Sequence, residues 1–198
     1  CSVVYTRNQE RCKPYLEQLL KEIELVRSNL PANAQVDQIH FGGGTPNFFR
    51  PEQLAAIHDK VAELFEIVPD AEKSIELDPR TVETGHIETL ADLGFNRVSL
   101  GIQDMNEEVQ KAVNRIQSAE LVDGIVKQLR ARKVAINFDL IYGLPHQTVQ
   151  SVHETLDKVI TWTPDRIAMF HFAFIPELKV HQRRISADDL PDAAEKLD

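Results

Sequence analysis

No run of about 18 consecutive apolar residues occurs in the 198-residue chain, which excludes a membrane-spanning helix of ordinary length. No basic-then-apolar leader precedes the first element, so export is not expected and a cytoplasmic location is. Basic residues are outnumbered, 22 Lys and Arg against 31 Asp and Glu, for a net charge of −9. That excludes the basic face of a general nucleic-acid binder, while leaving room for a local cationic pocket. Cysteine is scarce. Cys1 and Cys12 make neither a disulfide framework nor a metal site of their own, and Cys12 reads as a reduced cytosolic thiol. No Walker loop, no Gly-x-Gly-x-x-Gly fingerprint and no Gly-x-Ser-x-Gly elbow is present. Nor do the seven histidines form a ligand pattern: His40 and His58 stand isolated, and His171 and His181 lie too far apart for one helical face.

What is present is an ordinary globular composition, 42% hydrophobic and 27% charged, enough for a core. Apolar stripes at helical spacing run through Leu16, Leu19, Leu20, Ile23, Val26 and Leu30, and through Leu54, Ile57, Val61, Leu64 and Phe65. Weaker or shorter helices are expected around Ile87 to Ala91 and Glu107 to Val113. Fuller ones are expected through Leu121 to Leu129 and Val152 to Ile160. Strands are predicted at Val36–Phe41, Ser74–Asp78, Arg97–Gln103, Val134–Ile141 and Arg166–Phe174. Strand and helix alternate without a Gly/Ser linker or an internal repeat, the signature of βα units on a parallel sheet. Cys1 carries no start signal and Pro191 to Asp198 reads as the opening of a helix. Both ends are therefore expected to be truncation points of one domain covering residues 1–198.

The strand faces choose between architectures. Val98, Leu100 and Ile102 oppose Arg97, Ser99, Gly101 and Gln103; Val134, Ile136, Phe138 and Leu140 oppose Ala135, Asn137, Asp139 and Ile141; Ile75 and Leu77 oppose Glu76 and Asp78. Central strands of an open doubly wound sheet are apolar on both faces. One polar or small face suits a barrel that holds a polar ligand. The expected fold is α/β, an incomplete TIM-like (βα) barrel with five parallel strands.

Ligands in parallel sheets gather at the carboxyl ends of strands, and the candidate residues fall there. Gly42-Gly43-Gly44 follows the first strand, where glycine admits positive φ and close approach to the main chain; a plain flexible turn is the alternative. Glu76 suits a ligand ammonium or hydroxyl, or else an ion pair with a neighbouring strand residue such as Arg97. Gln103 and Asp139 end two strands on one face. An acidic residue so placed binds a ribose diol, or caps the turn before Tyr142-Gly143. Arg115 suits a carboxylate, or is an exposed surface arginine. Pattern alone implies a polar-lined βα barrel that binds a nucleoside-like ligand.

Five segments in order, His40-Phe-Gly-Gly-Gly-Thr-Pro46, Ile75-Glu-Leu-Asp-Pro-Arg80, Gly94-Phe-Asn-Arg-Val-Ser-Leu-Gly-Ile-Gln-Asp104, Val113-Asn-Arg115 and Phe138-Asp-Leu-Ile-Tyr-Gly-Leu-Pro145, carry a resemblance over essentially the whole chain. Together they resemble the radical S-adenosylmethionine family, and within it the oxygen-independent coproporphyrinogen III oxidases. The tail His181-Gln-Arg-Arg-Ile185 looks like the same branch. The family holds a [4Fe–4S] cluster with a Cys-x3-Cys-x2-Cys motif, followed in the oxidases by one further cysteine, which Cys1 with Tyr5-Thr6-Arg7 resembles. The resemblance therefore places the cluster ligands upstream of Cys1 and implies that this chain alone binds no cluster and is inactive.

The resemblance also implies two molecules of S-adenosylmethionine. Gly43, Gly44, Thr45 and Glu76 match positions for the first, and Gln103, Arg115, Asp139 and Ala173 match positions for the second. Ala173 rests on the resemblance alone. The implied activity is oxidative decarboxylation of coproporphyrinogen III propionates to vinyl groups, giving protoporphyrinogen IX, by a 5′-deoxyadenosyl radical. It would require an electron donor for the cluster, and a monomer without nucleic-acid or membrane partners is expected. Arg183 and Arg184 suit propionates by charge only and otherwise form a solvated basic patch. Three rivals share much of the pattern: a haem-binding or haem-chaperone relative, a radical enzyme with another substrate, and a non-catalytic nucleotide-binding domain. Haem-binding relatives usually carry Phe at the position of Cys1 and Ser at that of Asp104, so both residues favour the oxidase.

Overall fold

A computed structural model describes residues 6–192 and 194–196. Cys1 and its neighbours to Tyr5 lie outside the described residues, so the expectation for Cys1 as a post-cluster cysteine finds no structural counterpart here. Ala194–Lys196 form a turn where the opening of a helix is expected, while residues 193, 197 and 198 are outside the description.

Among the described residues, six α-helices are interspersed with five strands. In chain order they are α1 (Cys12–Ser28), β1 (Gln35–Phe41), α2 (Pro51–Leu64), β2 (Glu66–Leu77), α3 (His86–Asp92), β3 (Arg97–Gln103), α4 (Glu107–Ala112), α5 (Ala119–Ala131), β4 (Ala135–Tyr142), α6 (Val149–Thr161) and β5 (Arg166–His171). The sheet order is β1-β2-β3-β4-β5, each strand beside its sequence neighbours, as successive βα units produce. β1 pairs with β2 in parallel, and β4 with β5 in parallel.

Helix ends follow local chemistry. Pro51 opens α2 at a position whose N–H would be unsatisfied anyway. The Asn106 side chain accepts from Glu108 N and Val109 N to start α4, and Thr148 with Ser151 forms a reciprocal capping pair at α6. β2 is longer than the predicted Ser74–Asp78. Its first half contains Pro69, which argues against a strand. The proline is tolerated because the register with β1 jumps from Val36↔Ile67 to Gln38↔Glu72, so Pro69 lies in the irregular stretch and owes no ladder bond.

The residues cluster into two compact units. Among the described residues, the first comprises those up to Ser99 and Gln128–Ala135, the second Leu100–Lys127 and those from Ile136 onward. Ile39, Leu54, Ile75, Leu77, Leu90, Phe95 and Val98 fill the core of the first. Leu100, Ile102, Val109, Val122, Ile136, Phe138, Leu140 and Val159 fill that of the second, where Phe138 meets Trp162 edge-to-face at 5.9 Å. The apolar strand faces read from sequence are thus the buried ones. The first apolar stripe is less completely covered: Val26 on α1 and Leu30, just past its end, remain exposed.

Candidate functional site

In the first unit, the carboxyl ends of β1 and β2 bring Glu76 to the glycine turn. Gly43 N–H donates to Glu76 Oε2 at 3.1 Å, and His40 Nε2 lies 3.4 Å from Glu76 Oε1. A Cβ on Gly42 would sit 2.5 Å from His40 Nε2 and 2.9 Å from Glu76 Oε1, so a larger residue there would push both side chains out of place. Gly43 and Gly44 hold φ of +77° and +69°, and nothing lies within 4 Å of a Cβ built on either. Their main chain is therefore open on the outer side of the turn. Thr45 is exposed in the same turn, and its carbonyl accepts from Phe48 N at 2.9 Å.

The alternative partner for Glu76 is not used. Arg97 instead pairs with Glu72, and its Nη2 also reaches Ser74 Oγ at 3.3 Å. Ser74 Oγ in turn lies 2.9 Å from His40 Nδ1. A carboxylate only accepts, so the His40 nitrogen facing Glu76 is the one suited to donate, and Nδ1 faces the Ser74 hydroxyl. Glu72, Arg97, Ser74, His40 and Glu76 thus form one polar chain, and His40 is not isolated as its place in the sequence suggests. His58 is not isolated either: its Nε2 lies 2.9 Å from Lys73 Nζ. Both pairings join residues from different elements, so no sequence spacing announces them.

The second unit contains another arrangement. Arg115 is half-buried, not a surface arginine, and its Nη2 donates to Gly101 O at 2.9 Å. A Cβ on Gly101 would fall 2.7 Å from Arg115 Nη2 and 2.8 Å from Gln103 Nε2. The two expected ligand residues therefore meet over a glycine whose missing side chain makes their space. Asp139 Oδ1 accepts from Asn137 Nδ2 at 2.8 Å on the same strand face. Ala173 follows β5, exposed, with its carbonyl fixed by Gln182 Nε2 at 2.9 Å. Gln182 is buried and also accepts from Ile175 N, so this stretch of loop has a set shape. Arg183 and Arg184 are exposed, Arg183 Nε donating to Pro176 O at 3.2 Å.

The first unit fits the amino-acid end of S-adenosylmethionine. Glu76, its side chain 44% exposed, keeps acceptor capacity for an ammonium beside an open glycine turn. The second unit offers amide, guanidinium and carboxylate groups for an adenosyl ligand. A metal cluster does not fit the described residues. No group of three or more His, Cys, Asp or Glu among them could hold a metal ion. Cys12, the free cysteine among them, is buried, and burial pushes its thiol pKa up, away from the thiolate a metal needs. Among the described residues no helix is long and apolar enough to cross a membrane.

Strands alternating with helices, with candidate ligand groups at strand carboxyl ends, define a βα protein of the parallel-sheet class. The Radical SAM superfamily model matches residues 1–159, and the chain belongs to that superfamily. It is 45% identical over 201 residues to an oxygen-independent coproporphyrinogen III oxidase of Pseudomonas aeruginosa, covering 100% of this chain and 44% of that protein. A second oxidase of the same name, from Helicobacter pylori strain J99, is 44% identical over 200 residues, again covering 100% of this chain and 44% of the relative. The solved coproporphyrinogen III oxidase HemN of Escherichia coli, described as a radical SAM enzyme, matches with a TM-score of 0.94 and 40% identity over 100% of this chain and 46% of that one. The expected fold class, a partial barrel of five parallel strands, is borne out by that match. The chain thus spans less than half the length of these relatives.

Proposed function

We propose that this chain serves an oxygen-independent coproporphyrinogen III oxidase, a protein that decarboxylates two propionates of the substrate to vinyl groups. The observation that carries the reading is likeness over the full chain to proteins of that name, at 45% and 44% identity. When bound, S-adenosylmethionine supplies in such proteins the means of removing a hydrogen atom from an unreactive carbon.

The chain's own residues have separable tasks in this reading. Glu76 accepts hydrogen bonds from the ammonium of one S-adenosylmethionine, and the turn of Gly43, Gly44 and Thr45 shapes the pocket for its methionine end. Gln103, Arg115, Asp139 and the Ala173 main chain hold a second molecule. Arg115 takes its carboxylate through a planar fork, and Asp139 takes its ribose hydroxyls. The described residues offer no ligand set for a metal cluster. The proposal also carries a cytoplasmic location, a monomer, an electron donor and no nucleic-acid partner.

The test is anaerobic incubation of the full-length protein with coproporphyrinogen III, S-adenosylmethionine and a reductant, with porphyrin products separated by chromatography. Protoporphyrin after oxidation supports the reading. Unchanged substrate, together with tight haem binding in a titration, would sink it in favour of a haem-carrying relative.

A further inference from the structure

We infer that Asp104 is a positioning residue, which holds Gln103 in a strained turn so that the glutamine amide stays over Gly101. The inference rests on the adenosyl-ligand site proposed above for the second unit. Gln103 has φ of +65°, in the left-handed region that side chains disfavour. Asp104 N–H donates across it to Ile102 O at 2.8 Å. A three-residue turn closed over a positive φ is the rare, strained form of that turn. Such a conformation persists in a non-glycine residue only when its surroundings over-determine it.

Those surroundings are in place on both sides of Gln103. Asp104 is 2% exposed. Its Oδ1 accepts from Asn106 N at 2.6 Å and from Thr155 Oγ1 at 3.1 Å, and its Oδ2 accepts from Gln147 Nε2. The Asp104 carbonyl takes Gln110 Nε2 at 2.9 Å. On the other side, the Ile102 carbonyl takes Gln117 Nε2, and Gln117 N is held by Gln110 Oε1 at 3.0 Å. Gln147 also donates to Ile141 O and accepts from Leu144 N, anchoring the carboxylate to the turn after β4.

The residue type matters. A carboxylate is acceptor-only, and here three donors converge on its two oxygens. Asparagine has the same shape but would turn an N–H toward one of those donors. Asp104 is too buried to meet a ligand itself, so its effect on binding would pass through Gln103.

The test titrates S-adenosylmethionine calorimetrically into full-length protein carrying Glu76→Ala, which silences the glycine-turn cluster. The second-unit variants are none, Gln103→Ala, Asp104→Asn and both together. Each single change is expected to weaken binding about tenfold, and the pair no more than the worse single, since residues acting through one contact are not additive. The residue-104 amide should also exchange its hydrogen at least about tenfold faster in Asp104→Asn, having left the turn. A purely structural role would lower the melting temperature and add independently to Gln103→Ala. Additive losses, or unchanged affinity in Asp104→Asn while Gln103→Ala binds weakly, would overturn the inference. If Gln103→Ala binds normally, the ligand reading fails instead; amide protection then decides positioning, and unchanged protection rejects it. Should Asp104→Asn not fold, Thr155→Val replaces it, with a loss of about threefold that vanishes in the Gln103→Ala background; a loss that persists there refutes the inference.

Discussion

The Lys73 ammonium donates to His58 Nε2 across 2.9 Å in the interior of the first unit. An ammonium has nothing to accept with, so Nε2 is the bare nitrogen and the imidazole is neutral, its Nδ1 lying 3.4 Å from Asp59 Oδ1. Lys73 also donates to Leu93 O at 2.9 Å, closing the end of α3.

This pair predicts a pH dependence. Burial, and then the Lys73 charge, lower the His58 pKa from its ordinary 6.5. Between the depressed folded value and 6.5 the unfolded chain binds more protons, so stability rises with pH there. The contribution is complete above about pH 6.5 and is lost as pH falls toward the folded pKa. Thermal melts from pH 7.5 to 5 should show a falling midpoint, and His58→Gln should flatten that part of the curve. A slope identical in the variant would assign the effect to other groups.

Gly101→Ala should damage the ligand site more than the fold. The new Cβ would fall 2.7 Å from Arg115 Nη2 and 2.8 Å from Gln103 Nε2, both ends of side chains that can swing aside. S-adenosylmethionine binding at this unit is expected to weaken about tenfold, or about 1.4 kcal/mol. Circular dichroism melts should shift by only a few degrees. A full-affinity variant would mean that Arg115 and Gln103 need not share that space.

Glu76→Gln removes the charge while keeping the shape. The loss of a hydrogen bond to a charged group is worth about 1.5–3 kcal/mol, which corresponds to roughly ten- to a hundredfold weaker S-adenosylmethionine binding at the glycine turn. In the full-length protein, Glu76→Ala and Asp139→Ala should each sharply reduce turnover without unfolding it. Wild-type rates in either would remove that residue from the proposed site.

Phe138→Ala should be the most costly of these changes to stability. Phe138 is fully buried and packs on Trp162. Truncating such a side chain costs about 3–5 kcal/mol, readable as a lowered urea midpoint. A loss under about 1 kcal/mol would indicate that the surrounding core collapses into the cavity.

Much of the architecture was legible because strand and helix periods are local. The alternation in Arg97–Gln103 and Ala135–Tyr142 separates Leu100, Ile102, Phe138 and Leu140, which are buried, from Gln103 and Asp139, which are half-buried. The first half of β2 was not legible, since Pro69 contradicts a strand and only the jump in register with β1 makes it harmless. Asp104 stood out in the sequence only as a residue that differs in haem-binding relatives. Its bonds to Thr155 and Gln147 join residues more than forty positions apart, beyond any local pattern.

By itself the sequence determined the order of the elements, which strand faces are polar, and where a glycine turn must lie, since each follows from backbone geometry acting over a few residues. The tertiary structure decided the partners. Arg97 pairs with Glu72 and leaves Glu76 to His40 and Gly43, and Arg115 turns inward to meet Gln103 over Gly101. Partner choice depends on the register and spacing of segments distant along the chain, a relationship that forms only when the sheet has assembled.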